Sequence, residues 1–421
     1  MQSSIKLRLT VMNFLQFAVW GAYLTSMGRY LGTAGFGSEI GNFYAMQGLV
    51  SLFMPALMGI VADRWIPAQR LLGVCHTLAG MLMLGVFLYT QTDAPSYPSL
   101  FALYSLSVAF YMPTLALSNS VAYTSLDQAG LDLVKSFPPI RVFGTVGFIC
   151  TMIAVSLLGL EATSGQFAVS AIISLVLAVY AQTLPNCPTA PKGQSKSLVE
   201  ALGLRAFVLF KQRKMALFFI FSMLLGVSLQ ITNGFANPFI STFGEIPAYA
   251  DTFGVKYANI LISLSQLSET LCILLIPFAL RRFGIRRVML IAMVAWVLRF
   301  ALLGLGNPGS GVWLFLLSMI VYGVAFDFFN VSGSLFVDKE TDPSIRSSAQ
   351  GLFMIMTNGI GATLGSLGAQ AVINHFVHTE HDTTAILAGW SMSWYIFATY
   401  AAVVAVLFAV LFRYNTATEA K

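Results

Sequence analysis

The stretch Phe53-Met-Pro-Ala-Leu-Met-Gly59-Ile-Val-Ala-Asp63-Arg64 is apolar until it ends on an acid and a base, with Arg70 just beyond. An apolar helix closing on charge marks the edge of a membrane, where basic residues gather on one side. Two readings of Asp63 and Arg64 stand at this level. They are either ordinary boundary charges or a pair whose contacts lock one conformation, with Gly59 letting a neighbouring helix approach closely.

Working outward, the whole chain repeats this design. Its 421 residues are 57% hydrophobic and 10% charged, with a mean hydropathy of +0.78. Soluble domains carry about 25% charged residues, so one aqueous core cannot hide this surface. A spanning helix needs roughly 20 apolar residues. Hydropathy places spans at about 8–31, 40–62, 69–91, 97–122, 138–159 and 163–184. A second set falls at about 213–242, 254–281, 285–305, 311–336, 345–376 and 386–412. The expected organisation is a six-helix bundle over 1–184, a polar linker over 185–212 and a second bundle over 213–421. The N-terminal run continues past Trp20 and Tyr23, too long for a cleaved signal, and is read as the first permanent helix.

The net charge of +6 lies in short connections and assembles no basic face, so lipid and not nucleic acid is the expected surrounding. Arg64, Arg70, Lys135, Arg281, Arg282, Arg286, Arg287, Lys339 and Arg346 all fall on the side of the N-terminus and linker. The other side has Arg29 and Lys256 among Glu39, Asp93, Glu161, Glu245, Glu380 and Asp382. That bias puts both termini in the cytoplasm. Cys75, Cys150, Cys187 and Cys272 are scattered, and no disulfide is expected.

The halves echo one another. Ala109-Phe110-Tyr111 answers Ala325-Phe326-Asp327, Ile140-Arg141 answers Ile345-Arg346, and the basic connection after span two answers that after span eight. Duplicated halves place a substrate near the midplane at the repeat interface.

Charge inside a span costs at least ~2.5–3.5 kcal/mol and marks function by default. Asp327 lies well inside span ten and Glu269 in the middle of span eight. A carboxylate removed from water takes and releases a proton near neutral pH, as proton-coupled transport requires; the competing reading is an interhelical hydrogen bond. Arg141 opens span five and could snorkel. Arg299 sits toward the outer end of span nine and is read as a snorkelling or structural residue.

Polar and aromatic residues recur at helical spacing. Arg141, Thr145 and Phe148 share a face, as do Gln230 and Asn233, Gln266 and Glu269, and Tyr322 and Phe326 with Asp327 adjacent. Span one adds Gln16, Trp20 and Tyr23. Such groups in a bilayer face partners or a cavity. Stacked rings suit a flat base, while amides and carboxylates suit hydroxyls, so a nucleoside and a simple sugar both remain open. No metal or cofactor set is expected: His76, His375, His378 and His381 are read at span ends or in loops; the helix-like spacing of the last three would allow a metal, but the segment reads as an outer loop with Glu380 and Asp382 solvated.

The segment ending in Asp63-Arg64 resembles the loop signature of the major facilitator superfamily. Longer stretches resemble the bacterial nucleoside:H+ symporter family over nearly the whole chain. They are Phe14-Leu-Gln-Phe-Ala-Val-Trp20-Gly, Phe53 to Asp63, Phe137-Pro-Pro-Ile-Arg141 to Phe148, Phe221 to Asn233, Ser265-Gln266-Leu-Ser-Glu269-Thr, and Tyr322 to Asn330. The resemblance implies an all-α major facilitator fold of twelve helices in two pseudo-symmetric bundles, working as a monomeric proton–nucleoside importer in the inner membrane. It implies a site lined by Arg141, Thr145, Phe148, Gln230, Asn233, Gln266, Glu269, Tyr322, Phe326 and Asp327. Asp327, then Glu269, would carry the coupled proton, and Gly59, Asp63 and Arg64 would gate. Phe143, where relatives are expected to tend toward Trp, and Gly234 after Asn233 are departures that bear on substrate range. A sugar or polyol symporter on the same fold is the alternative.

Overall fold

The computed structural model describes residues 2–189, 204–343 and 345–414. Half of the expected linker over 185–212, residues 190–203, therefore lies outside the described residues. Helix dominates everything described. In chain order the main elements are α1 (Gln2–Gly21), α2 (Met27–Thr33), α3 (Ile40–Ser51), α4 (Met54–Arg64), α5 (Ala68–Tyr89), α6 (Tyr97–Gln128), α7 (Leu133–Leu157) and α8 (Gly165–Ala181). There follow α9 (Arg213–Leu229), α10 (Ile231–Thr242), α11 (Ala258–Leu305), α12 (Val312–Glu340), α13 (Arg346–Met354), α14 (Ala362–Phe376) and α15 (Thr383–Leu411).

Among the described residues, nine helical stretches are long and apolar enough to cross a membrane. The longest, α11, is broken at Gly284, whose φ of 74° and ψ of 163° lie outside the helical region. That φ is easily reached only without a Cβ, and the break falls between the expected spans at 254–281 and 285–305. Arg286, just past it, donates through Nε to the Phe412 carbonyl and through a terminal nitrogen to the Ala409 carbonyl, both at 2.6 Å. These carbonyls lie at the C-terminus of α15, where no intrahelical donor remains.

Other spans are interrupted too. Residues 22–26 turn between α1 and α2, and Gln230 leaves the helix between α9 and α10. Residues Ile355–Gly361 form a π-helical segment joining α13 to α14. Breaks of this kind frequently sit at functional sites.

The described chain divides into two compact units, residues 2–30 with 49–189, and residues 31–48 with 204–414. In the first, α1 packs on α6, α7 and α8, and α5 packs on α6 and α8. One end of it is tied by Arg29 to the buried Glu161 carboxylate at 3.3 Å, which also accepts from the Ser156 hydroxyl. In the second, α11 packs on α12 and α15, and α9 on α14 and the π-helical segment.

Residues 31–48 join this second unit through main-chain groups. The Gln370 amide donates to the Gly37 carbonyl at 3.0 Å and accepts from the Gly41 N–H. The Asn374 amide donates to the Ser38 carbonyl at 3.2 Å, and His378 Nε2 to the Gly37 carbonyl at 3.1 Å. Burial holds the His378 imidazole below its ordinary range, opposed by the Gly37 carbonyl and the Glu39 charge.

Candidate functional site

In the second unit the site begins with a close helix crossing. A Cβ on Gly323 of α12 would lie 2.5 Å from the Ser268 carbonyl of α11, so only glycine permits this approach. The Ser268 hydroxyl donates back across it to the Ile320 carbonyl. The crossing brings Gln266 and Glu269 of α11 up to Tyr322, Phe326 and Asp327 of α12. Tyr322 is hydrogen-bonded to Gln266 and lies within electrostatic reach of Glu269 and Asp327. The two carboxylates also feel each other's charge. Asp327 is 5% exposed, and its Oδ2 is buried with no hydrogen-bond partner among the described residues.

Tyr322 and Phe326, one helical turn apart, stack with centroids 5.5 Å apart and planes at 18°. Trp296 meets the Tyr322 ring edge-on at 5.9 Å. Arg299 lies over the same ring, its Cζ 4.5 Å from the centroid. Its guanidinium donates to the Ser318 carbonyl at 2.7 Å and to Ser265 Oγ at 3.3 Å, while the Ser318 hydroxyl donates to the Arg299 carbonyl. At 2% exposed, Arg299 does not snorkel. Of the two readings offered for it, the snorkelling one is corrected and the structural one stands: it is held by partners on α11 and α12.

Gln230 and Asn233 meet as their spacing predicts, with Asn233 Nδ2 donating to Gln230 Oε1 at 2.9 Å beside the break between α9 and α10. The Gln230 carbonyl still accepts from the Gly234 N–H at 3.1 Å, so its backbone carries the chain from one helix into the next. Buried Asn237 and Asn259, which the sequence reading passed over, bond to each other at 2.9 Å and join α10 to α11.

In the first unit, Arg141, Thr145 and Phe148 sit on α7 against α1. A Cβ on Gly147 would lie 2.2 Å from the Phe14 carbonyl, and one on Gly21 would lie 2.4 Å from the Phe148 carbonyl. The two backbones thus pack with little side chain between them. The Arg141 guanidinium lies 4.0 Å over the Phe17 ring, and Phe148 meets Trp20 edge-on at 6.4 Å. Arg141 is within α7, half-buried, and its guanidinium packs on α1 by cation–π attraction. Phe143, the departure noted above, is 46% exposed on the outside of this pair.

Two readings need correction. Gly59 permits no close approach here, since a Cβ there would meet nothing within 4 Å. His76 is not at a span end. It lies inside α5 and is 0% exposed. Gln16 Nε2 donates to Thr114 Oγ1 at 2.7 Å, so its Oε1, 2.8 Å from His76 Nε2, accepts from the ring. That places a proton on Nε2, while Nδ1 faces Ser174 Oγ at 2.9 Å. The Tyr111 hydroxyl donates to the Gln16 carbonyl at 2.9 Å. Gln16 therefore serves a buried network joining α1, α5, α6 and α8. The signal in the sequence was slight: a lone histidine inside an apolar run. Removing one partner leaves a buried polar group unsatisfied, at about 1–3 kcal/mol for each. His76→Leu is expected to lower stability by at least that amount, read as thermal unfolding of the detergent-solubilised protein; an unchanged transition would contradict the network's role.

Interrupted apolar helices, paired by glycine contacts and carrying carboxylates and amides inside the bilayer, define a secondary transporter. The model of the nucleoside H+ symporter family matches residues 3–417. The chain is 49% identical to the xanthosine permease of Escherichia coli (strain K12), over 98% of this chain and 97% of that one. It is 46% identical to the nucleoside permease NupG of the same organism, again over 98% and 97%. The crystal structure of the nucleoside transporter NupG superposes with a TM-score of 0.89, at 46% identity, covering 98% of this chain and 100% of that one. The chain belongs to the nucleoside H+ symporter family, with the all-helical major facilitator fold, and is a proton-coupled nucleoside importer.

Proposed function

We propose that Asp327 carries the coupled proton with Glu269 as its partner, and that Tyr322, Phe326 and Phe148 take the base of the nucleoside. Gln230, Asn233, Gln266 and Glu269 read its polar edges, joined by Arg141 and Thr145. The observation that carries this reading is the buried Asp327 carboxylate, one oxygen without a hydrogen-bond partner, beside a stacked pair of rings at the crossing of α11 and α12. Base–aromatic stacking contributes about 1–3 kcal/mol per base, and the carboxylates take up the proton. Conformational gating is assigned to the charged end of α4, at Asp63 and Arg64. The protein acts as a monomer in a bacterial inner membrane, with both termini cytoplasmic; the placement of its basic residues supports that orientation.

The test is uptake of labelled uridine, adenosine and xanthosine into proteoliposomes, with and without an inward proton gradient. Accumulation that collapses with a protonophore is expected. Nucleoside entry indifferent to the gradient would overturn the proton assignment. Competition by free sugars, and not by nucleosides, would overturn the base assignment.

A further inference from the structure

Five arginines gather where α11 turns and α15 ends, at one edge of the second unit. Arg281, Arg282, Arg286 and Arg287 fall within seven residues, on either side of the Gly284 break. Arg286 is taken up by the Phe412 and Ala409 carbonyls. That clamp holds the end of α15 against the turn and brings Arg413, which follows Phe412 in the chain, to the same edge. Arg281, Arg282, Arg287 and Arg413 are exposed.

No described acid answers these four. Between Glu269 and Asp327, and again between Asp382 and Glu419, the sequence holds no aspartate or glutamate. At the C-terminal end of α12, which alternation of the spans puts on the same side of the membrane, the acids are engaged elsewhere. Asp338 pairs with Arg346 at 3.3 Å and Glu340 with Lys214. Among the described residues no carboxylate lies within ion-pair distance of Arg281, Arg282, Arg287 or Arg413. Basic residues at a membrane edge are ordinary, but here like charges are crowded into one turn and repel one another. An anion placed among them relieves that repulsion.

Apolar ridges run up to the arginines. On α11, Leu271, Leu274 and Phe278 are exposed at i, i+3 and i+7, and Arg281 and Arg282 continue the same face. On α15, Val403, Val406 and Val410 are exposed at the same spacing ahead of Arg413. Cations at the end of such ridges stand at the level of lipid headgroups.

We propose that this edge is a binding site for an anionic phospholipid, whose headgroup phosphates are held by Arg281, Arg282, Arg287 and Arg413 while its acyl chains lie along the ridges. Guanidinium and phosphate meet through paired N–H···O bonds, and basic pockets at helix ends hold phosphate-rich headgroups. The arginines come from two separate stretches of chain, so a headgroup with two phosphates, as in cardiolipin, engages both. Phosphatidylglycerol, with one, binds more weakly. Phosphatidylcholine carries its own ammonium beside the phosphate and gains nothing from the cluster.

The experiment follows thermal unfolding of the purified full chain in a neutral detergent as cardiolipin, phosphatidylglycerol, phosphatidylcholine or inorganic phosphate is added. Cardiolipin should raise the unfolding midpoint at the lowest concentration, with phosphatidylglycerol next. The other two should leave the midpoint where it is. Each arginine should change the lipid concentration needed by about fivefold. The combined variant Arg281→Gln, Arg282→Gln, Arg287→Gln and Arg413→Gln should therefore need at least about a hundredfold more cardiolipin. A control with Lys6→Gln, Arg8→Gln, Arg70→Gln and Lys135→Gln removes as many charges from the first unit and should respond as the wild type does.

A wild-type midpoint indifferent to cardiolipin would overturn the proposal, whether or not the arginine variant folds. An equal loss in the control variant would do the same, because overall charge and not this edge would be the cause. Inorganic phosphate as effective as lipid would make this a site for a free anion and sink the lipid assignment. The chain's own Glu419, beyond the described residues, is the competing occupant. If Glu419→Gln lowers the lipid-free midpoint as far as cardiolipin raises that of the wild type, the tail fills the site and the proposal falls.

Discussion

Asp327→Asn is expected to abolish proton-driven accumulation of nucleoside while leaving exchange across the membrane in place. The amide preserves the size of the side chain but cannot carry a transferable proton. Asp327 sits 5% exposed at the crossing of α11 and α12, with a carboxylate oxygen that has no hydrogen-bond partner among the described residues. A buried carboxylate oxygen left without a hydrogen bond has little reason to be there unless the proton it takes is used, because an embedded charge costs at least ~2.5–3.5 kcal/mol. With an inward gradient of one pH unit, a one-proton symporter can concentrate its substrate about tenfold. The variant should fall to no concentration at all. Labelled uridine in proteoliposomes reads both quantities: net accumulation under the gradient, and counterflow with uridine on both sides. Accumulation surviving in Asp327→Asn would move the proton elsewhere, with Glu269→Gln the next variant to measure. Loss of counterflow together with accumulation would make Asp327 a substrate contact first.

The parts of this structure legible in the sequence are those decided by one helix alone. The apolar lengths, the i, i+4 relation of Tyr322 and Phe326, and the i, i+3 relation of Gln230 and Asn233 are properties of helical geometry. The structure returns the latter two as a ring stack and a hydrogen bond. What escaped depends on partners from distant parts of the chain. His76 is recognisable as a network centre only when Gln16, 60 residues away, and Ser174, 98 residues away, are brought to its two nitrogens. Arg299 looks like an interfacial cation until Ser265 and Ser318 are seen to hold it inside. Gly59 shows the converse. A glycine in a membrane helix invites a reading of close packing, but Gly147, Gly21 and Gly323 are among those pressed against a neighbouring backbone, while Gly59 has nothing within reach of a Cβ. Local pattern identifies which residues are costly to place in a bilayer; only the pairing of helices tells which of them have been matched.

The aromatic pair gives the second large effect. Phe326→Ala removes one ring of a stack whose planes lie at 18° with centroids 5.5 Å apart. Stacking of a base on such a surface is worth about 1–3 kcal/mol, so nucleoside affinity should fall by roughly tenfold to a hundredfold. Tyr322→Phe keeps its ring, the cover of Arg299 and the edge contact of Trp296, and loses only the hydroxyl bonded to Gln266. The net value of one such hydrogen bond is about 0.5–1.5 kcal/mol, so its loss should cost a few-fold to about tenfold and no more. The ordering of the two variants carries the diagnosis, because a sugar-like recognition by hydroxyls would reverse it. Equilibrium binding of uridine and of free ribose to the purified variants decides between them. If Phe326→Ala binds uridine as the wild type does while Tyr322→Phe fails, the base does not rest on this shelf. The polar edge of the site, from Gln266 to Glu269, would then hold the substrate by its hydroxyls.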